Sequence, residues 1–208
     1  MIYKNKIIFI FIIFLLLVIL FPSYEYFIQI PKELYFIHIP KNAGKSIENS
    51  AKKNNIIWGE YEYEDLMNEE RKAKSSIGCN YWHTPLKYFK NNYNEKKLFT
   101  VIRNPYNRII SEFKYQNRHT PGKINKVELN NFVSSLKKNI SENKFKNDCH
   151  LLKQIEFIQN EDGVINKNIE ILRFENLDED FYNLLKKNNN KLFKLEKTNV
   201  SSSNLSIN

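Results

Sequence analysis

Three short apolar runs, each ending abruptly and each followed by a stretch with helical spacing, constrain this chain more than any other feature. They are Leu34-Tyr35-Phe36-Ile37-His38-Ile39, Lys97-Leu98-Phe99-Thr100-Val101-Ile102 and Ile169-Glu170-Ile171-Leu172-Arg173-Phe174. Pro40 stops the first and Arg103-Asn104-Pro105 the second. Runs this short, rich in β-branched and aromatic residues, read as buried strands. A further strand is expected at Ile77–Trp82, before Thr84-Pro85. Helices are expected at Lys45–Lys53, 106–115, 127–139 and Leu177–Lys187. The last begins with acidic residues and ends in lysines, as its dipole favours. Residues 55–75 read as helix and loop, and 150–159 as a short helix or extended segment. Strands alternating with helices predict an α/β fold with a central, mostly parallel sheet flanked by helices.

The chain has 208 residues, which suits one compact domain plus an anchor or tail. The expected domain covers residues 34–200, with a Ser- and Asn-rich flexible tail at 201–208. Residues 7–21, IIFIFIIFLLLVILF, are apolar throughout, with no polar residue at helical spacing. Such a run belongs in lipid and is short for a span. The exit, Phe21-Pro22-Ser23-Tyr24, has no small-residue cleavage site, so an uncleaved signal anchor over 7–22 is preferred to a signal peptide. Lys4 and Lys6 place residues 1–6 in the cytosol, and a short stem (23–33) leads to a domain across the membrane, a single-pass type II arrangement. Asn139, Asn199 and Asn204 open N-x-Ser triplets usable in a lumen, although such triplets arise often in an Asn-rich chain.

The formal charge is +9, from 32 Lys and Arg against 23 Asp and Glu. That balance favours anionic partners without choosing among them. Nucleic acid is not expected, because the aromatic residues sit in apolar runs and read as core. Cys79 and Cys149 form no CxxC pair, which argues against a zinc or redox site. In an oxidising lumen they could pair; as buried free thiols they would be equally ordinary.

Two loops carry the chemistry. After the first strand comes Pro40-Lys41-Asn42-Ala43-Gly44-Lys45-Ser46, small residues opening a helix. Backbone N–H groups there can cup an oxyanion, with Lys41 and Lys45 supplying charge and Ser46 a hydroxyl. Gly-Lys-Ser suggests a Walker loop, but that motif needs a glycine five positions before Gly44, where Ile39 stands. After the second strand, Arg103 leaves the strand end and Ser111 follows two helical turns on. A guanidinium fork and a hydroxyl could converge there on one phosphate.

HIPKNAGKS (38–46) resembles the 5′-phosphosulfate-binding loop of Golgi-type carbohydrate sulfotransferases, where HIPK-[small]-[small]-G-[TS]-S is typical. RNPYNRIISEF (103–113) resembles their 3′-phosphate-binding motif, R-[DN]-P-x-x-R-x-x-S-x-[FY]. Tyr81-Trp82-His83-Thr84-Pro85-Leu86, the segment around Gln154, and Leu172-Arg173-Phe174-Glu175-Asn176-Leu177 resemble further family blocks. The resemblance covers about residues 34–200 and implies a P-loop-NTPase-like sulfotransferase fold in a Golgi-like lumen. It implies 3′-phosphoadenylyl sulfate (PAPS) as donor, no metal, and a hydroxyl acceptor on a glycan. Donor contacts then fall on Lys41, Asn42, Ala43, Gly44, Lys45, Ser46, Arg103 and Ser111, with Lys41 neutralising the departing phosphate. Lys45 stands where the family has Thr or Ser. Arg108 matches a further family arginine, structural or phosphate-facing.

Removing the acceptor's proton needs a general base. His83, at the family's base position, is the first choice, with Glu48, Glu60 and His150 as alternatives. His38 lies in a strand and reads as a packing residue, and His119 as an exposed loop residue. Two other classes stay open: a phosphotransferase with a degenerate P-loop, which would need a carboxylate for Mg²⁺, and a non-catalytic binder of anionic glycans. Among acceptors, heparan-like chains come first, other glycans second and tyrosine third.

Overall fold

The computed structural model describes residues 33–63, 74–88, 96–118 and 125–198, without the side chain of Asn139. The expected cytosolic tail, anchor, most of the stem, His119, Asn199, Asn204 and the 201–208 tail lie outside these. Among the described residues no helix is long and apolar enough to cross a membrane.

The three runs form the three strands. β1 (Leu34–Ile37), β2 (Lys97–Ile102) and β3 (Ile169–Arg173) make one sheet in the order β1-β2-β3. Both pairings are parallel, with Phe36 opposite Phe99 and Thr100 opposite Ile171. Alternate side chains leave a strand on opposite faces, and each face carries its own core. Leu34, Phe36, Phe99, Val101 and Leu172 point to one, where Trp58, Phe181 and Leu184 pack on them. Tyr35, Ile37 and Leu98 point to the other, under Leu152, Phe157 and the two cysteines. Burial on both faces is why β1 and β2 read as continuous apolar runs and not as alternating ones; β3 lies at the other side of β2 from β1, with Leu172 buried and Ile171 exposed.

Helix α1 (Gly44–Lys53) leaves the loop after β1, and α2 (Pro105–Gln116) the loop after β2. Asn104 caps α2, its side chain accepting from the N–H groups of Tyr106 and Asn107 at 3.0 and 3.3 Å. Pro105 then occupies the first helical position, where a missing N–H costs nothing. Helix α3 (Lys126–Glu142) follows, and α4 (Leu177–Lys187) closes the first core behind β3. The acidic first turn of α4 (Asp178, Glu179, Asp180) and its final Lys186 and Lys187 have the expected polarity. Beyond α4 the chain runs back along α1, where Glu196 N–H donates to Ser50 Oγ at 2.8 Å.

The strand expected at Ile77–Trp82 is not formed. Gly78 takes φ 82°, and Ser75–Cys79 folds into a tight turn in which Gly78 N–H donates to the Ser75 carbonyl at 2.9 Å. Among the described residues, one antiparallel bridge, Lys74 to Asn80, is the pairing there, and Tyr81–His83 is a 3₁₀ turn. Residues 150–159, left between helix and extended chain, hold a 3₁₀ turn at Gln154–Phe157.

Candidate active site

The loop after β1 curls because Lys41 and Ala43 sit at φ 70° and 68°, in the left-handed region that non-glycine residues visit rarely. Gly44 then passes so close to the His38 ring that a Cβ there would lie 2.0 Å from Nε2. Asn42 is 1% exposed and serves as an internal tie. Its Nδ2 donates to the Val101 carbonyl at 2.7 Å and to Gln154 Oε1 at 2.6 Å. Lys45 pairs with Glu60. Ser46 Oγ lies 3.2 Å from the Thr198 hydroxyl and accepts from the Thr198 N–H at 3.2 Å. The side chains of three of the expected donor contacts, Asn42, Lys45 and Ser46, therefore already have partners within the protein.

Lys41 is different. Its Nζ stands 3.9 Å over the Tyr115 ring, an attraction available to any cation over an aromatic face. Burial pushes its ammonium down to about 8; Glu112 opposes that shift, and Arg103, Arg118 and Arg108 add to it. Among the described residues, Lys41, Arg103, Arg108 and Arg118 thus outnumber the carboxylates of Glu112 and Glu175 here, a field that favours an added anion.

Arg103 is held on three sides. Gln154 brackets its backbone, Oε1 accepting the N–H at 2.9 Å and Nε2 donating to the carbonyl at 2.8 Å. The guanidinium carbon lies 3.9 Å from the Phe174 ring centroid, and Nη1 donates to the Lys41 carbonyl at 3.1 Å. Its Nε is buried without a partner, and burial lowers the guanidinium's pKa against the pull of Glu175. Ser111 stands half-buried on α2. Arg108 is a structural tie: Nε, Nη1 and Nη2 donate to the carbonyls of Pro40, Leu152 and His150 at 3.0, 2.8 and 2.7 Å.

His83 is 8% exposed. Its Nδ1 lies 2.7 Å from Asp148 Oδ2, and with Nδ1 carrying the proton, Nε2 keeps its lone pair. Burial drives the imidazole down to about 3, against Asp148 and with help from His38 and His150, so the ring is neutral. The His38 and His150 ring centroids lie 4.6 and 5.1 Å away, and His150 is 5.6 Å from Tyr115. Tyr115, under Lys41, is thus continuous with the histidines.

Each alternative base has a partner. Glu48 is fully buried and accepts from the Glu60 N–H at 3.2 Å, with His38 Nδ1 at 2.6 Å. Glu60 holds Lys45. His150 Nδ1 lies 2.8 Å from Glu112 Oε2. His38 does pack as expected, and its ring is what requires a glycine at position 44. The ligand atoms of His83, Asp148 and His150 lie within 4.8 Å of one another, a spacing that could hold a metal ion. An ion there would have to displace the proton that His83 shares with Asp148.

Asp148, Glu112 and Tyr115 were missed from sequence as site residues. Asp148 lies 65 positions from His83 and Glu112 lies 38 from His150, so no local pattern joins them. Gln154 carried a signal only through its family block.

No curated protein and no solved structure matches the chain. A family model, described as sulfotransferase family, matches residues 24–206 and so takes in both loops, β1 to β3 and every helix above. With that match spanning nearly all of the sequence, the chain belongs to the sulfotransferase family.

Proposed function

We propose that this enzyme transfers a sulfuryl group from PAPS to a hydroxyl of a carbohydrate acceptor by in-line displacement. The observation that carries the reading is the contact between the two loops, Arg103 Nη1 on the Lys41 carbonyl. It puts a cation at each of two adjoining positions, as a nucleotide with phosphates at both ends requires. Lys41 takes the 5′-phosphosulfate with the N–H groups of Ala43, Gly44 and Lys45. Arg103 and the Ser111 hydroxyl take the 3′-phosphate. Arg103 directly after β2, where a phosphotransferase would want a carboxylate for Mg²⁺, supports sulfuryl over phosphoryl transfer.

In the transfer step the acceptor hydroxyl attacks sulfur while its proton passes to Nε2 of His83, whose basicity, low in the free protein, is raised by the negative charge of the bound donor. The bond from sulfur to the bridging phosphate oxygen breaks, and its electron pair stays on that oxygen. Lys41, half-buried and held over Tyr115, stabilises the charge that develops there as a preorganised cation. Asp148 stabilises the imidazolium as it forms.

The apolar run at 7–21 acts as a signal anchor, with the domain in an oxidising, Golgi-like lumen. The Cys79–Cys149 disulfide fits such a compartment, since cytosolic thiols are kept reduced. Thermal-shift titration separates the donor classes: adenosine 3′,5′-bisphosphate should stabilise the protein without metal, and ATP with Mg²⁺ should not. Stabilisation by ATP and Mg²⁺ alone would overturn the donor assignment.

A further inference from the structure

The disulfide between Cys79 and Cys149 joins residues 70 apart in sequence, and both cysteines are fully buried. Each half adjoins a group that touches His83. Cys79 precedes Asn80, whose backbone N–H and Nδ2 both donate to Asp148, at 2.5 and 2.7 Å. Cys149 stands between Asp148 and His150. Asn147, Asp148 and Cys149 have φ values of 54°, 56° and 63°. Three successive non-glycine residues in the left-handed region are unfavourable alone and persist only where the surroundings fix them. The run turns the Asp148 carboxylate onto His83 Nδ1, and the chain then presents His150 to the same ring. Among the described residues, Asp148, His38, His150 and Trp82 meet the His83 ring.

We propose that Asp148 is the positioning residue for His83, and that the Cys79–Cys149 bridge is the covalent clamp that keeps Asp148 there. The proposal rests on reading His83 as the base. The donor side is held by other means: Arg108 grips the carbonyls of His150 and Leu152, and Gln154 grips Arg103. Opening the bridge therefore frees the left-handed run and the carboxylate while leaving the donor residues tied. Turnover depends on the clamp, and donor affinity does not.

The test uses the full chain labelled with nitrogen-15 histidine, with His83→Ala to assign the His83 signal. NMR of the wild type should show His83 protonated at Nδ1. In Asp148→Asn and in Cys79→Ala/Cys149→Ala that tautomer should give way to Nε2–H or a mixture. The Kd for adenosine 3′,5′-bisphosphate should stay within about twofold in both. With PAPS and chemically desulfated heparin, Asp148→Asn should lower kcat by about 100-fold or more, as loss of an orienting carboxylate does elsewhere. The triple variant, Asp148→Asn with Cys79→Ala and Cys149→Ala, should be no slower than Asp148→Asn, since groups acting through one another are non-additive. An unchanged His83 tautomer in Asp148→Asn would overturn the positioning role, and additive losses in the triple variant would overturn the clamp. If the cysteine variant fails to fold, seen as loss of bisphosphate stabilisation, the Asp148→Asn spectrum still decides the positioning role. A His83→Ala variant as active as wild type would remove the base assignment instead, whatever the tautomers show.

Discussion

Arg103 Nη1 donates to the backbone carbonyl of Lys41 at 3.1 Å, so the ends of β1 and β2, which lie side by side in the sheet, bring two basic loops into contact. Parallel strands make this possible, because both chains leave the sheet at the same edge. The loops at the carboxyl ends of strands are where open α/β sheets bind ligands. The guanidinium lies against Phe174, which limits its orientation, and an unpaired Nε remains.

Replacing Arg103 by Lys should therefore not be conservative. An ammonium can neither lie flat on Phe174 nor donate as a planar fork. Affinity for adenosine 3′,5′-bisphosphate should fall by roughly 10- to 100-fold, the worth of a charged hydrogen bond, as isothermal titration calorimetry would measure.

Lys41 makes a pH prediction. Burial first, and Arg103, Arg118 and Arg108 next, hold its ammonium at about 8, so it loses its proton readily above that pH in the free protein. A bound dianion raises that value. Bisphosphate binding near pH 8 should therefore take up protons, and affinity should fall as pH rises through about 8. Calorimetry in buffers of different ionisation enthalpy would read the uptake directly; affinity that strengthens with rising pH would contradict the assignment.

Gln154→Ala removes the acceptor shared by Asn42 Nδ2 and Arg103 N–H, and the donor to the Arg103 carbonyl. Leaving buried polar groups unpaired costs about 1–3 kcal/mol. Denaturant unfolding should show that loss, and bisphosphate affinity should fall with it although Gln154 is not a proposed donor ligand.

Gly44→Ala should destabilise the fold by about 1–3 kcal/mol, the ordinary cost of overpacking, because the new Cβ meets the His38 ring at 2.0 Å. Adding His38→Ala should recover part of that loss in chemical denaturation. A Gly44→Ala protein as stable as wild type would show that the loop can shift without strain.

The sheet was legible because β1 and the middle of β2 are buried on both faces, and such strands carry an unbroken apolar signal; β3, with only Leu172 buried, still showed a short β-branched run. The helices were legible from their periodicity and, for α4, from charge at its ends. Ile77–Trp82 misled because Ile77, Cys79, Tyr81 and Trp82 look strand-like, whereas Gly78 at positive φ and the cross-link at Cys79 set a turn. In the candidate site, motif position is what nominates Lys41, Arg103 and His83. Ser46 and Lys45 fitted the same pattern, but the chain supplies them with Thr198 and Glu60, contacts no local sequence shows. The pairing of Cys79 with Cys149 was equally invisible, because two cysteines fix no geometry until the fold brings them together.

The most direct measurement is transfer of radiolabelled sulfate from PAPS over a panel of glycans, comparing wild type with Lys41→Ala, Arg103→Ala and His83→Ala. Wild type should label at least one glycan, and each variant should fall to a small fraction of that rate while remaining folded. A folded Lys41→Ala or Arg103→Ala protein that transfers sulfate as fast as wild type would contradict a donor site shared between these two loops.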